Sequence, residues 1–128
     1  SNPLAQIDGS AMRMTSDGTD IYISQLAGNS ANTYDIGRYT ISGTTLTYAD
    51  SVSLGTEVAY EFAKLSTGEW VTHAPTNSYT DMNVYNSSGV LQRTIAYGFP
   101  SSSYRINNIG DNFYMCNENT CHKLDITL

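Results

Sequence analysis

The chain carries little charge, and most of it has one sign. Lysine and arginine number 6 against 12 aspartates and glutamates, a formal net charge of -6 over 128 residues, and the only lysines are Lys64 and Lys123. Duplex nucleic acid and anionic membrane surfaces are held by basic patches, so neither is an expected partner. No apolar run approaches the roughly 20 residues needed to span a bilayer, so no membrane insertion is expected, and no secretory leader is visible. Cysteine is nearly absent, with Cys116 and Cys121 alone, and no second Cys/His pair stands at zinc-site spacing. There is no phosphate-cradling glycine loop and no Gly-x-Ser-x-Gly elbow. Asp17-Gly18-Thr19-Asp20 lacks the alternating acidic ligands of a calcium loop and reads as a β-turn. Carboxylates such as Glu57 and Glu61 are available as a pair, yet nothing divides them into an acid and a base. The expectation is no cofactor, no metal and no catalytic residue.

Good helix formers are sparse as well. In their place Ser (15), Thr (15), Asn (11), Gly (10) and Tyr (10) make up 61 of the 128 residues. Hydrophobic residues reach 40% and aromatic ones 11%, which argues for a packed core and against disorder. Tyr, Thr, Ile and Val suit pleated, half-buried surfaces. No stretch of eleven residues shows apolar spacing of 3.6 free of breakers. The chain is expected to be all-β, with short strands and frequent turns.

One segment recurs three times without a gap. Residues 11–25 read AMRMTSDGTDIYISQ, residues 59–73 AYEFAKLSTGEWVTH and residues 103–117 SYRINNIGDNFYMCN. Tyr22, Trp70 and Tyr114 align, as do the charged residues Arg13, Glu61 and Arg105 between large apolar neighbours. Each segment predicts a β-hairpin around a Gly-bearing turn. A third strand follows near Arg38–Ile41, Asn83–Tyr85 and Lys123–Ile126. A Ser-Gly turn and a fourth strand come next in the first two repeats, at Leu46–Leu54 and Leu91–Tyr97. The third repeat ends before its fourth strand, and the segment Pro3–Asp8 is a spare strand that would fill the gap.

Repeats starting at residues 11, 59 and 103 are 48 and 44 residues apart, which matches the period of propeller blades. In this pattern the chain resembles β-propeller blade repeats. The stretch Val84-Tyr85-Asn86-Ser87-Ser88-Gly89-Val90-Leu91 is similar to the strand–turn–strand of lactonase-like and NHL-like blades. The resemblance implies three four-stranded antiparallel repeats, about 11–58, 59–102 and 103–128 plus 1–10. They would form a single β-repeat domain over 1–128, a small β-propeller closed by the N-terminal strand. Two alternatives remain: a β-trefoil, or half of a six-bladed ring completed by a second copy, since blades left unclosed expose edges.

Several positions stand out as candidates for binding. The connections between second and third strands are long, and Asn32, Tyr34 and Asp35 in the first recur as Asn77, Tyr79 and Asp81 in the second. Long loops on a rigid β scaffold carry binding residues, and Tyr, Asn and Ser are the residues that antibody loops use. A turn held by Asx-type hydrogen bonds explains the same residues. Tyr104, in the segment Phe99–Tyr104, marks a second surface. Gln25, His73 and Asn117 share one repeat position, so His73 is read as a hydrogen-bonding group and not as a titrating one. Arg13, Glu61 and Arg105 would meet on an inner strand, either as a mutually satisfied charge cluster or as an axial anion site. Cys116 and Cys121 admit either a local disulfide or two free thiols, and a disulfide would point to an oxidising setting.

The composition resembles that of phage tail-fibre tips and microbial lectins, and that resemblance carries over no functional residue. It implies a non-enzymatic recognition module that binds a cell-surface glycan or receptor, extracellular or on a virion surface, and a homo-oligomer is one expectation. The competing expectations are a structural or assembly module without ligand and a propeller-type hydrolase or lyase.

Overall fold

The computed structural model describes residues 10–26, 35–55, 61–73, 81–96, 105–116 and 119–125, and of residues 10–12, 25, 26, 73 and 105 the backbone alone. Among them are eleven strands and no helix. The first sheet holds β1 (Ser10–Ser16), β2 (Asp20–Leu26), β3 (Asp35–Ser42) and β4 (Thr45–Ser53). The second holds β5 (Glu61–Lys64), β6 (Trp70–His73), β7 (Asp81–Tyr85) and β8 (Leu91–Ala96). The third holds β9 (Arg105–Ile109), β10 (Asn112–Cys116) and β11 (Cys121–Leu124). Every pairing is antiparallel and joins strands adjacent in sequence. No sheet closes into a barrel. Pro3–Asp8, the expected fourth strand of the third sheet, lies outside the described residues.

Polar side chains shape the turns. Asp17 Oδ1 accepts the N–H groups of Thr19 and Asp20, both at 2.9 Å, which folds the Asp17-Gly18-Thr19-Asp20 segment into a hairpin turn. Asn86 Oδ1 does the same for the N–H groups of Ser88 and Val90 at 3.0 Å. Gly89, in that second turn, has φ +83° and its α-carbon faces the Ser53 carbonyl of the first sheet. A side chain is excluded there twice over, by backbone conformation and by space.

The repeat is visible in the irregularities of pairing as well as in the strand order. Between β3 and β4 the register skips Ala49, and between β7 and β8 it skips Gln92, at matching places in their sheets. Such bulges bend the outer strand and increase its twist. The gapless alignment of the three segments does not extend to strand pairing, because the hairpin turns differ in length, spanning 17–19, 65–69 and 110–111. Tyr22 therefore lies opposite Thr15 and Tyr114 opposite Asn107, whereas Trp70 lies opposite Lys64.

Two cores hold the three sheets together, and the second sheet contributes to both. Alternate residues of a strand point to opposite faces. Phe62, Trp70 and Tyr85 turn toward the first sheet and pack with Tyr22, Ile36 and Leu54. Ala63, Val71, Met82 and Val84 turn toward the third sheet and pack with Ile106, Phe113, Met115 and Leu124. Val71, Met82, Val84, Phe113 and Met115 are wholly inaccessible to solvent. Each such side chain contributes about 1.5–3 kcal/mol by leaving water. The inner strands meet as a consequence, β1 beside β5 and β5 beside β9.

Candidate functional site

The inner strands bring Arg13 and Glu61 together. Glu61 opens β5 and is 4% exposed; its Oε2 accepts from Arg13 Nη2 at 2.8 Å and from the backbone N–H of Ile106 at 3.4 Å. One carboxylate thus ties β1, β5 and β9 to each other. Of Arg105 only the backbone, at the start of β9, is described. A cavity of about 360 Å3 opens beside the ion pair, lined by Thr15, Ser16, Asn107 and Asn108. The Arg13 guanidinium is already matched by a carboxylate, which leaves it a weak magnet for a free anion.

Asn32, Tyr34, Asn77, Tyr79 and Tyr104 lie outside the described residues, and of His73 only the backbone is described, opposite Glu61 and Met82. Asp35 and Asp81 are the first residues of β3 and β7, so both stand where the long connections enter, away from the tight turns at 17–19 and 65–69. Asp81 is half-buried opposite Ala96. Asp35 Oδ2 accepts from the Ser51 hydroxyl at 3.3 Å. Its other oxygen, Oδ1, is buried with no hydrogen-bond partner among the described residues. A buried carboxylate oxygen without a donor is costly.

A second group of side chains was not legible as a site in the sequence. A cleft of about 380 Å3 separates β4 of the first sheet from the two turns of the second. Asp50 and Ser51 line one wall, and Gly68, Ser87 and Ser88 the other. Tyr22 and Trp70 form the floor, edge to face with ring centroids 5.0 Å apart and each 3% exposed. Above them sits Lys64, whose Nζ lies 4.4 Å from the Tyr22 ring centroid and 5.5 Å from that of Trp70. The ammonium donates to the Tyr22 hydroxyl at 2.6 Å and lies 3.5 Å from Asp17 Oδ2. The same hydroxyl donates to Asp17 Oδ2 at 2.7 Å. Across the cleft Arg38 grips Asp50 with two bonds, Nε to Oδ1 at 2.8 Å and Nη2 to Oδ2 at 2.7 Å, and reaches Asp20 through Nη1 at 3.0 Å.

These contacts favour a neutral Tyr22, ionised Asp17 and Asp50, and a charged Arg38. Burial pushes the Tyr22 hydroxyl well above its usual range, and its bond to the Asp17 carboxylate adds to the effect. Burial opposes ionisation of Asp17, but the N–H groups of Asp20 and Thr19, the Tyr22 hydroxyl and the Lys64 charge overcome it and hold the carboxyl well below its usual range. The Arg38 hydrogen bonds lower Asp50, and those same bonds raise Arg38. The cleft is therefore suited to presenting charge and hydrogen bonds, and poorly suited to exchanging protons near neutral pH.

Elsewhere, Cys116 and Cys121 face each other across β10 and β11 and are joined in a disulfide. The turn of the second sheet is tied to that of the third, where Asp111 accepts both the N–H and the hydroxyl of Ser66. Among the described residues no group of three His, Cys, Asp or Glu side chains is arranged to hold a metal, and no helix is long and apolar enough to cross a membrane. No known family model and no curated protein matches the chain.

Proposed function

We propose that the chain is a recognition module that binds a carbohydrate or other receptor at a cell surface, in an extracellular or virion-surface setting, without chemistry of its own. The observation that carries this reading is Asp35. It was singled out with Tyr34 as a binding residue, it stands where the β2–β3 connection enters the sheet, and its Oδ1 is a buried acceptor lacking a donor among the described residues. A ligand hydroxyl or amide would supply that donor. The charge states favoured in the inter-sheet cleft support binding over proton transfer. In this reading the three stacked sheets are propeller blades, and Pro3–Asp8 pairs with the outer edge of β11 to complete the third.

The test is binding of the labelled chain to bacterial cells and immobilised glycans, with periodate-oxidised cells as control. Selective binding that periodate destroys, and that Asp35→Ala or the double change Tyr34→Ala and Tyr79→Ala removes from a folded protein, supports the assignment. Binding that survives those changes overturns it. A second reading, assembly of copies, is favoured by Met14, Ile41 and Tyr48, which strand alternation places on one face of the first sheet and which are 68%, 52% and 56% exposed. A particle of twice the chain mass that binds no surface would establish it.

A further inference from the structure

We infer that the cleft between the first two sheets is a binding site for an uncharged, hydroxyl-rich ligand, a neutral sugar or polyol. The inference rests on the recognition reading and goes beyond it by placing a site on residues other than the loop candidates and by excluding acidic glycans from it. Size comes first: about 380 Å3 lies within the range of sites for small molecules. The lining comes second. Ser87 and Ser88, exposed on the β7–β8 turn, and Ser51 on β4 line it beside an exposed carboxylate and an ammonium, while the aromatic floor is sealed.

Charge decides the class. The two cations that line the cleft, Lys64 and Arg38, are already matched by three carboxylates, Asp17 beside Lys64 and Asp20 and Asp50 on Arg38, inside a chain of net charge -6. A uronate, sialate or phosphate would meet cations that are already paired and would have to compete with a bidentate Arg38–Asp50 pair. A hydroxyl faces neither obstacle. Asp50 keeps acceptor capacity beyond its two bonds to Arg38, and its side chain is 60% exposed. An ammonium has three N–H donors, and the Tyr22 hydroxyl and Asp17 engage two of those on Lys64. A sugar offers hydroxyls to both, one to donate to Asp50 and another to accept from Lys64.

Trp70 is the only tryptophan in the chain and lies on the cleft floor, so its emission reports this cleft. The experiment titrates the chain with glucose, galactose, N-acetylglucosamine and their β-linked disaccharides, and in parallel with glucuronate and N-acetylneuraminate. Trp70 emission and backbone amide shifts are followed. The expected result is that a neutral sugar moves Trp70 emission and the amides of Ser51, Ser87 and Ser88, and that the acids at equal concentration move neither. Asp50→Asn should weaken the effect at least tenfold. Ser88→Tyr, on an exposed turn, should block the cleft mouth without touching a core. Shifts confined to residues beside the β2–β3 and β6–β7 connections, with Trp70 emission unchanged, would overturn the cleft and leave the recognition reading standing. Acids binding as well as neutral sugars would overturn the charge argument. If no sugar binds anywhere and no cell surface retains the chain, both fall together.

Discussion

Arg13 donates to the buried carboxylate of Glu61 across the boundary between the first and second sheets, at 2.8 Å. The two partners are unequal. Arg13 is 37% exposed and can recover water when Glu61 is removed, whereas Glu61 is sealed in and loses a counter-charge when Arg13 is removed. Arg13→Met should therefore cost about 3 kcal/mol of stability, and Glu61→Gln, which keeps the shape and the acceptor for Ile106, about 1–2 kcal/mol. Urea unfolding measures both, and an Arg13→Met variant as stable as the parent would show that the pair ties nothing together.

Acid should unfold the protein by protonating carboxylates that are hydrogen-bonded in the folded state. Asp17, Asp50 and Asp111 all have carboxyls held below their usual range by hydrogen bonds in the folded state. Lowered groups of this kind add stability that is complete above the unfolded-state pKa, near 4, and is lost as the pH falls toward the folded-state value. Stability should be flat from about pH 7 to pH 5 and decline below about pH 4. Asp17→Asn should lower the plateau and flatten the acid limb; an acid limb of unchanged slope would contradict the role given to Asp17.

Tyr22 behaves in the opposite sense. Its pKa is raised, so its contribution is present below the usual tyrosine value and is lost only as the pH climbs through the folded-state value. In an ultraviolet titration the native chain should show at least one of its ten tyrosines still protonated at about pH 11. Tyr22→Phe should leave the number ionised at that pH unchanged while lowering the total by one.

Two glycines with the same backbone requirement separate strain from collision. Gly43 has φ +60° with open space where a Cβ would stand, and Gly89 has φ +83° with the Ser53 carbonyl in that space. Gly43→Ala should cost about 1–2 kcal/mol, the strain of left-handed backbone alone. Gly89→Ala must also push β4 of the first sheet away from the β7–β8 turn and should cost clearly more in the same denaturation series. Equal costs would mean that the two sheets are not in contact there.

Reduction should loosen the third sheet. The Cys116–Cys121 disulfide closes a short loop, separation 5, and constrains the unfolded chain by roughly 2 kcal/mol. Cys116→Ser with Cys121→Ser should reproduce the effect of a thiol reductant, and neither thiol should react with an alkylating agent in the native, unreduced protein. Two reactive thiols would contradict the bond.

The strands were legible because alternation and glycine-bearing turns are local signals. β4 and β8 fall within a residue or two of the expected Leu46–Leu54 and Leu91–Tyr97. Register was harder: the added residues Ala49 and Gln92 are unremarkable in composition, and a gapless alignment conceals hairpin turns of different length. Arg13 and Glu61 were singled out because the repeat superposed them. The cleft had no such marker. Lys64 meets Tyr22 from 42 residues away, and Arg38 meets Asp50 through strand pairing, so neither pair makes a motif. The contact between Lys64 and Tyr22 exists only once two sheets are stacked.

The double role of the second sheet limits how its sequence can change. Phe62 and Ala63, Trp70 and Val71, and Val84 and Tyr85 are neighbours in the chain that belong to different cores, large side chains on one side and smaller ones on the other. Gaining or losing one residue inside β5, β6 or β7 would exchange the two sets, driving aromatics into the space meant for valine and alanine while emptying the aromatic layer. The first and third sheets each enter only one of these two cores. The middle repeat can drift by compensated substitution, but length changes there must fall in its turns.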